Sequence, residues 1–218
     1  MIEAVVFDFD GLIRDTETYE YYSFEELLKE YGVELPLLMY GQRIGGDMHS
    51  FCPYTYLEEC IGQSLDRESL RKRRWEIYTD LILHEMARPG VENYLASAQA
   101  MGLKIGLASS APYNWVMPNL EELGLTHFQC IRTHEDAAKV KPDPELYLQV
   151  LKAFGVRPQH AVAFEDSPNG ALAAVRAGMR CVIVPNTLTK QLPFESCDLR
   201  LDSMLDMELE EVIARLTG

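Results

Sequence analysis

Two acidic runs and a lysine set between prolines are the residues of this chain best suited to chemistry. The first run, Asp8-Phe9-Asp10-Gly11, directly follows the apolar stretch Ala4-Val5-Val6-Phe7. Two carboxylates flanking one residue, with a glycine that lets the backbone turn away, can reach a single pocket. Close carboxylates repel, so such a pair favours a cation between them or a shared proton. A solvated acidic turn has the same sequence, and spacing alone does not say which acid would be a nucleophile. Asp15 and Thr16, a few residues on, read as structural, one of them capping a helix. The second run, Phe164-Glu165-Asp166-Ser167, also ends an apolar stretch, and Ser167-Pro168 has the form of a helix start. Asp166 alone would suit the helix dipole there. Together, two strand ends bearing acid pairs make an oxygen-rich site for a hard divalent ion that keeps several waters, which is the preference of Mg²⁺.

Two further pieces are suited to an anion. Ser109-Ser110 follow the run Leu103 to Ala108, and a hydroxyl with the free N–H groups of the next turn forms a phosphate cradle. A serine capping a helix is the plainer use of the same residues. Lys141 lies in Val140-Lys141-Pro142-Asp143-Pro144, where proline stiffens the loop and lets the cation be aimed at small entropic cost. The formal net charge of −14 repels phosphorylated compounds over most of the surface, so binding one requires such local cations. The same charge argues against nucleic acid or anionic lipid as a partner. No run of eighteen apolar residues occurs, so no membrane span is expected, and the first eight residues lack the basic region of a signal peptide. Five cysteines without a C-x-x-C pair read as buried free thiols of a reducing cytoplasm rather than disulfides or a zinc site. A monomer is expected.

The elements that must position these groups alternate from about Arg88 onward. Amphipathic helices end at Met101-Gly102, Leu123-Gly124, Phe154-Gly155 and Ala177-Gly178, and each is followed by a short apolar strand. This predicts an α/β fold, a Rossmann-like parallel sheet with helices on both faces. Leu209, Val212, Ile213 and Leu216 give the last helix its apolar stripe. Residues 16–87 contain no apolar strand. Phe24, Leu27, Leu28 and Tyr31 make one helical stripe, and Leu70, Ile77, Tyr78, Leu81 and Ile82 make a second. The expected division is therefore an α/β core of residues 1–15 and 88–218, with a small all-helical insert, residues 16–87, after the first strand.

The pieces in this order resemble the four motifs of the haloacid dehalogenase superfamily: D-x-D-G at Asp8, a hydroxyl at Ser109, Lys141 before proline, and the pair Glu165-Asp166. The resemblance covers essentially the whole chain, since the helical insert falls where that superfamily carries its small cap domain. Residues 8–17 and 141–147 look closest to the β-phosphoglucomutase-like sugar-phosphate phosphatases. The resemblance implies a magnesium-dependent hydrolase of a small phosphorylated metabolite. Asp8 is then the nucleophile that forms an aspartyl-phosphate, and Asp10 the acid and base. Asp8, the Asp10 carbonyl, Asp166 and Glu165 would hold Mg²⁺, with Ser109, Ser110 and Lys141 on the phosphoryl group. On the cap, Arg43-Ile44-Gly45-Gly46-Asp47-Met48-His49 falls at the substrate-specificity loop, with Arg43, Gly46 and His49 the candidate contacts, although an ordinary turn reads the same way.

Consecutive helix residues point about 100° apart, so Arg71-Lys72-Arg73-Arg74 is a solvated helix and not a nucleic-acid patch. Glu68 is expected to pair with Lys72, and one of these cations can overhang the site. Tyr19, Tyr21, Tyr22 and Tyr40 are read as core or cleft aromatics. Two alternatives share the fold. A sugar-phosphate mutase of the β-phosphoglucomutase type is disfavoured because Asp15-Thr16 is followed by Glu17-Thr18-Tyr19-Glu20-Tyr21, with glutamate where the mutases carry a histidine. A haloacid dehalogenase needs no metal and no acid at position 10.

Overall fold

The computed structural model describes residues 1–218. Six strands, β1 (Ala4–Phe7), β2 (Lys104–Ala108), β3 (Cys130–Arg132), β4 (Ala161–Glu165), β5 (Arg180–Ile183) and β6 (Leu199–Arg200), form one parallel sheet in the order β3-β2-β1-β4-β5-β6. Ala4 lies beside Lys104 and Ala161, and Phe7 beside Leu107 and Phe164. That register brings Asp8, Ser109 and Glu165-Asp166 out at the same end of three adjacent strands. The order reverses at β1, and ligands bind outside the strand ends at such a reversal.

Within residues 16–87 the regular structure is helical: α1 (Thr16–Lys29), α2 (Leu37–Tyr40), α3 (Pro53–Ile61) and α4 (Arg67–Ile82). Asp15 caps α1 by accepting from the Thr18 N–H at 3.2 Å, and Asp66 caps α4 by accepting from the Glu68 N–H at 3.1 Å. The sequence reading had two helices here. It missed α2, which is a single turn, and α3, whose stripe is short but whose punctuation is clear: Pro53 at its first position and Gly62 at φ 70° closing its end. Tyr21, Phe24, Leu27 and Leu28 of α1 pack with Tyr54 and Leu57 of α3 and with Leu70 and Ile77 of α4. Leu188 and Leu192, from the loop after β5, complete that cluster. Four residues of the predicted stripes are not in it, and of these Tyr78 and Ile82 are buried elsewhere. Tyr31 falls past the end of α1 and is 41% exposed, and Leu81 is 36% exposed on the outer side of α4. The Glu68–Lys72 pair does not form either; Arg73 takes Glu30, just past the end of α1, instead, at 2.6 Å.

The strands divide the rest of the core in two. Val5 and Phe7 face α5 (Val91–Ala100), α6 (Tyr113–Glu122) and α9 (Leu209–Thr217). Ala4 and Val6 face α7 (Glu145–Phe154) and α8 (Pro168–Arg176). Where β4 meets α8 the second layer is built from small residues, Ala161 and Ala163 against Ala171, Ala173 and Ala174. On β2 even a methyl is too much there, because a side chain at Gly106 would lie 2.5 Å from Val150 of α7. Arg88 joins the two crossings between insert and sheet. Its backbone N–H donates to Ile13 at 2.7 Å, and its guanidinium donates to the carbonyls of Gly11, Val184 and Pro185 at 2.6, 2.8 and 3.0 Å. All five cysteines are free, but only Cys130 and Cys181 are buried. Cys52 is half-buried, and Cys60 and Cys197 are exposed because they fall on the outside of α3 and in the loop before β6. No helix is long and apolar enough to cross a membrane.

Candidate active site

Asp8 continues the β1 ladder, its N–H donating to the Phe164 carbonyl at 3.1 Å, so its side chain is fixed by the sheet rather than by a loop. Lys141 donates from Nζ to Asp8 Oδ1 at 2.6 Å and to Glu165 Oε1 at 2.7 Å, and all three side chains are buried. The Tyr147 hydroxyl also donates to Glu165 Oε1. Asp8, Glu165 and Asp166 offer oxygens within 4.8 Å of one another. Asn186, from the loop after β5, donates to Asp166 Oδ2 at 3.0 Å.

One ammonium for three buried carboxylates is too little positive charge. Burial and the neighbouring Asp8 charge push Glu165 up to about 7, against the pull of Lys141. Burial, then Asp8 and Glu165, hold Asp166 well above the usual carboxylate range. Burial would lower Lys141, but Asp8 and Glu165 outweigh it and raise the ammonium's pKa. Glu165 Oε2 and Asp166 Oδ1 are buried with no partner at all. Buried carboxylates that lie this close together and keep unpaired oxygens suit a hard divalent cation as its donors.

Backbone makes room for these acids. Gly11 has φ 81°, and a side chain there would lie 2.2 Å from Asp166 Oδ2. Gly170, in the first turn of α8, faces Glu165: a Cβ would sit 2.0 Å from Oε2. Gly170→Ala is therefore expected to destabilise the protein by about 1–3 kcal/mol, as overpacking does. For a chain of this size that is roughly 2–12 °C in thermal unfolding. An unchanged melting temperature would mean that the Glu165 carboxylate is free to swing aside.

Asp10 is half-buried. Its Oδ1 accepts from the Thr16 hydroxyl at 2.6 Å and from the Trp115 indole N–H at 2.8 Å. Burial raises its pKa to about 6, with those two donors pulling it down. Thr16, read from sequence as structural, thus has a polar role toward the second acid, while Asp15 is the cap. Ser109 is buried, and its Oγ accepts from the Ala111 N–H at 3.0 Å. The Ser110 hydroxyl donates to the Gly45 carbonyl at 3.2 Å, which ties sheet to insert.

A cavity of about 650 Å³ opens above these groups, with Asp8, Asp10, Ser109 and Ser110 at its floor and insert residues as its roof. The predicted loop residues Arg43, Gly46 and His49 all line it. Arg43 is buried, paired with Glu20 at 3.5 Å and lying over the rings of Phe24 and Tyr40. Gly46 lies directly on the core, since a Cβ there would sit 2.9 Å from Asn169 Nδ2. His49 is exposed at the rim. Glu17 accepts from the Gly45 N–H at 2.9 Å, and burial with the nearby Asp166, Asp10 and Asp8 charges raises its pKa well above normal. Of the basic run on α4, Arg74 overhangs the cavity, its guanidinium over the rings of Phe24, Trp75 and Tyr78. Among the aromatics, Tyr40 lines the cavity and donates to Glu20 at 2.9 Å, Tyr21 is packed in the insert core, and Tyr22 is exposed.

Sequence reasoning missed Trp115, Tyr147, Asn186 and Thr16 as members of the site. Asn186 follows an apolar strand, so the rule that singled out Asp8 and Glu165 applied to it as well. Tyr147 lay within the lysine motif. Trp115 carried no local signal.

The sheet order, the acids at its reversal and the roofed cavity define a hydrolase class, and the chain belongs to it: residues 5–184 match the family model of the haloacid dehalogenase-like hydrolases. Among known proteins it is 51% identical to YhcW of Bacillus subtilis (strain 168), which bears the name of a phosphatase, over 100% of this chain and 99% of that one. It is 29% identical to the phosphorylated carbohydrates phosphatase of Thermotoga maritima, over 82% of each chain. Among solved structures it superposes on the β-phosphoglucomutase of Clostridium difficile with a TM-score of 0.75 at 26% identity, covering 99% of this chain and 97% of that one.

Proposed function

We propose that this hydrolase is a phosphatase that cleaves a small phosphomonoester, with sugar phosphates the leading substrate class, through an aspartyl-phosphate on Asp8. The observation that carries the reading is the meeting of Lys141 with Asp8 at the sheet reversal, beside buried carboxylate oxygens that lack any partner. Residues 16–87 act as a cap over a core of residues 1–15 and 88–218, which encloses the substrate and excludes water. Asp8, Asp166, the Asp10 carbonyl and Glu165 would hold Mg²⁺. When bound, the ion supplies positive charge against which a carboxylate can approach a phosphate dianion.

The protein's own residues do the rest. Lys141 and Ser109 hold the phosphoryl oxygens. An Asp8 oxygen attacks phosphorus, the ester P–O bond breaks, and Asp10 gives its proton to the leaving oxygen. Water then attacks phosphorus, Asp10 takes its proton, and the acyl-phosphate P–O bond breaks to release inorganic phosphate and restore the Asp8 carboxylate. Asp10, with its pKa raised to about 6, is suited to both directions near neutral pH.

The mutase reading is favoured by the structural likeness and opposed by the cap chemistry. Glu20 lines the cavity bound to Tyr40 and Arg43, and a carboxylate does not act as a cationic donor toward Asp10. The test is a panel of aryl, sugar, nucleoside, glycolate and polyol phosphates assayed for inorganic phosphate with Mg²⁺ and with chelator. Release with Mg²⁺ and at least about tenfold loss in chelator is expected. With β-glucose 1-phosphate and a trace of the 1,6-bisphosphate, phosphate should appear with little glucose 6-phosphate. Rapid glucose 6-phosphate without phosphate would reverse the choice.

A further inference from the structure

We propose that Trp115 is a positioning residue for Asp10: its indole N–H and the Thr16 hydroxyl hold Oδ1 from two sides and leave Oδ2 for the proton transfers. The inference rests on the reading of Asp10 as acid and base. A carboxylate on a turn has two free torsions, and two donors on one oxygen remove both before substrate arrives. The donors come from different parts of the fold, Thr16 from the first turn of α1 and Trp115 from the first turn of α6.

The face of α6 that carries Trp115 is committed to the Asp10 loop. Trp115, Asn119 and Glu122 stand at i, i+4 and i+7, which is one side of a helix. Arg14, bridged through its backbone to Asp10, donates to Asn119 Oδ1 at 2.6 Å and to Glu122 at 2.9 Å. Asn119 in turn donates to the Trp115 carbonyl at 2.8 Å. On its other side the indole meets Tyr78 of α4, with ring centroids 6.2 Å apart. The ring therefore has little freedom, and its N–H is aimed rather than merely satisfied.

A structural tryptophan and a positioning one differ in what Asp10 does to the effect of removing it. Trp115→Phe keeps an aromatic ring but removes the N–H-bearing half of the indole, and with it the donor. The expected result is a fall in kcat of roughly tenfold, part of the 10²–10⁴ that acid–base help contributes, with KM changed less than about twofold. In an Asp10→Asn background the same change should alter kcat by less than about twofold, because its target is gone. Wild-type kcat in Trp115→Phe, or an undiminished loss in the double variant, would overturn the proposal. Full activity of Asp10→Asn alone would instead overturn the reading of Asp10 beneath it. A second measurement needs no change at Trp115. The chain has two tryptophans, Trp75 and Trp115, so its indole ¹⁵N–¹H spectrum holds two peaks, assigned with Trp75→Phe. Asp10→Ala, which removes the acceptor, should move the Trp115 peak upfield and leave Trp75 in place; an unmoved Trp115 peak overturns the hydrogen bond.

Discussion

Asp8→Asn is expected to lower phosphate release by about 10⁴-fold or more, because the amide keeps the shape of the side chain and loses the nucleophile. The same change should leave the fold as stable as before, or more so. Asp8 is among the charges that raise Glu165 and Asp166, so neutralising it relieves a repulsion in the metal-free protein. A carboxyl whose folded pKa is raised binds its proton more tightly when folded, so it costs stability as pH rises from the unfolded value toward the folded one. For Glu165 that window runs from its ordinary 4.5 to about 7. In chelator, the wild type should lose stability across that range, and Asp8→Asn should lose less. Thermal unfolding with EDTA between pH 4.5 and 8 reads this directly. Retained turnover in Asp8→Asn would remove the covalent route, and a steeper pH loss would remove the electrostatic account.

Lys141→Met should be the most damaging single change to the fold. It keeps much of the stem's volume but leaves Asp8 and Glu165 buried without their shared cation. Breaking a buried pair in this way costs about 3–5 kcal/mol. That is about 6–20 °C of melting temperature for a chain of this size. With Mg²⁺ the loss should shrink, since another cation then faces the same acids. Phosphatase activity should fall by about 10²–10³ with the loss of a charge at the phosphoryl oxygens. A drop under about 1 kcal/mol in chelator would show that the carboxylates already share a proton and need no ammonium.

The sequence showed the sheet and the acids because both are written locally. Ala4 to Phe7 and Ala161 to Phe164 are continuous apolar runs, and the acids follow them directly, so strand ends and chemistry coincide. Two-residue β6 and single-turn α2 are too short to carry a period, and tertiary contacts decide them. Stripe membership failed at the margins: Tyr31 and Leu81 have the right spacing, but one lies beyond its helix end and the other turns away from the insert core. The pairing of Arg73 with Glu30 over any partner for Lys72 depended on how α4 packs against α1, which no local spacing contains. Trp115 and Asn186 belong to the site only through topology. One comes from a helix after β2, the other from a loop after β5, and each reaches an acid more than a dozen residues away in sequence. Ser110 was read as an anion ligand, and its hydroxyl is directed to the Gly45 carbonyl, a partner that exists only once the insert is seated.

The position of β1 at the middle of the sheet has a consequence for how the chain is made. Both its neighbours, β2 and β4, lie beyond the insert, so the nascent strand carries unpaired amides and four apolar residues through the synthesis of everything up to Lys104. Contacts that span so much chain form slowly, because a long loop must close before they are rewarded. Lys141 stands 133 residues from Asp8, and Leu188 and Leu192, which finish the apolar cluster of the insert, come later still. An emerging chain thus holds helices before it holds a sheet, and the three acids gather only when most of the polypeptide has left the ribosome. Until then the segment from Ala4 to Phe7 is an open strand edge, the place where a stalled or truncated copy of this protein would be most prone to aggregate.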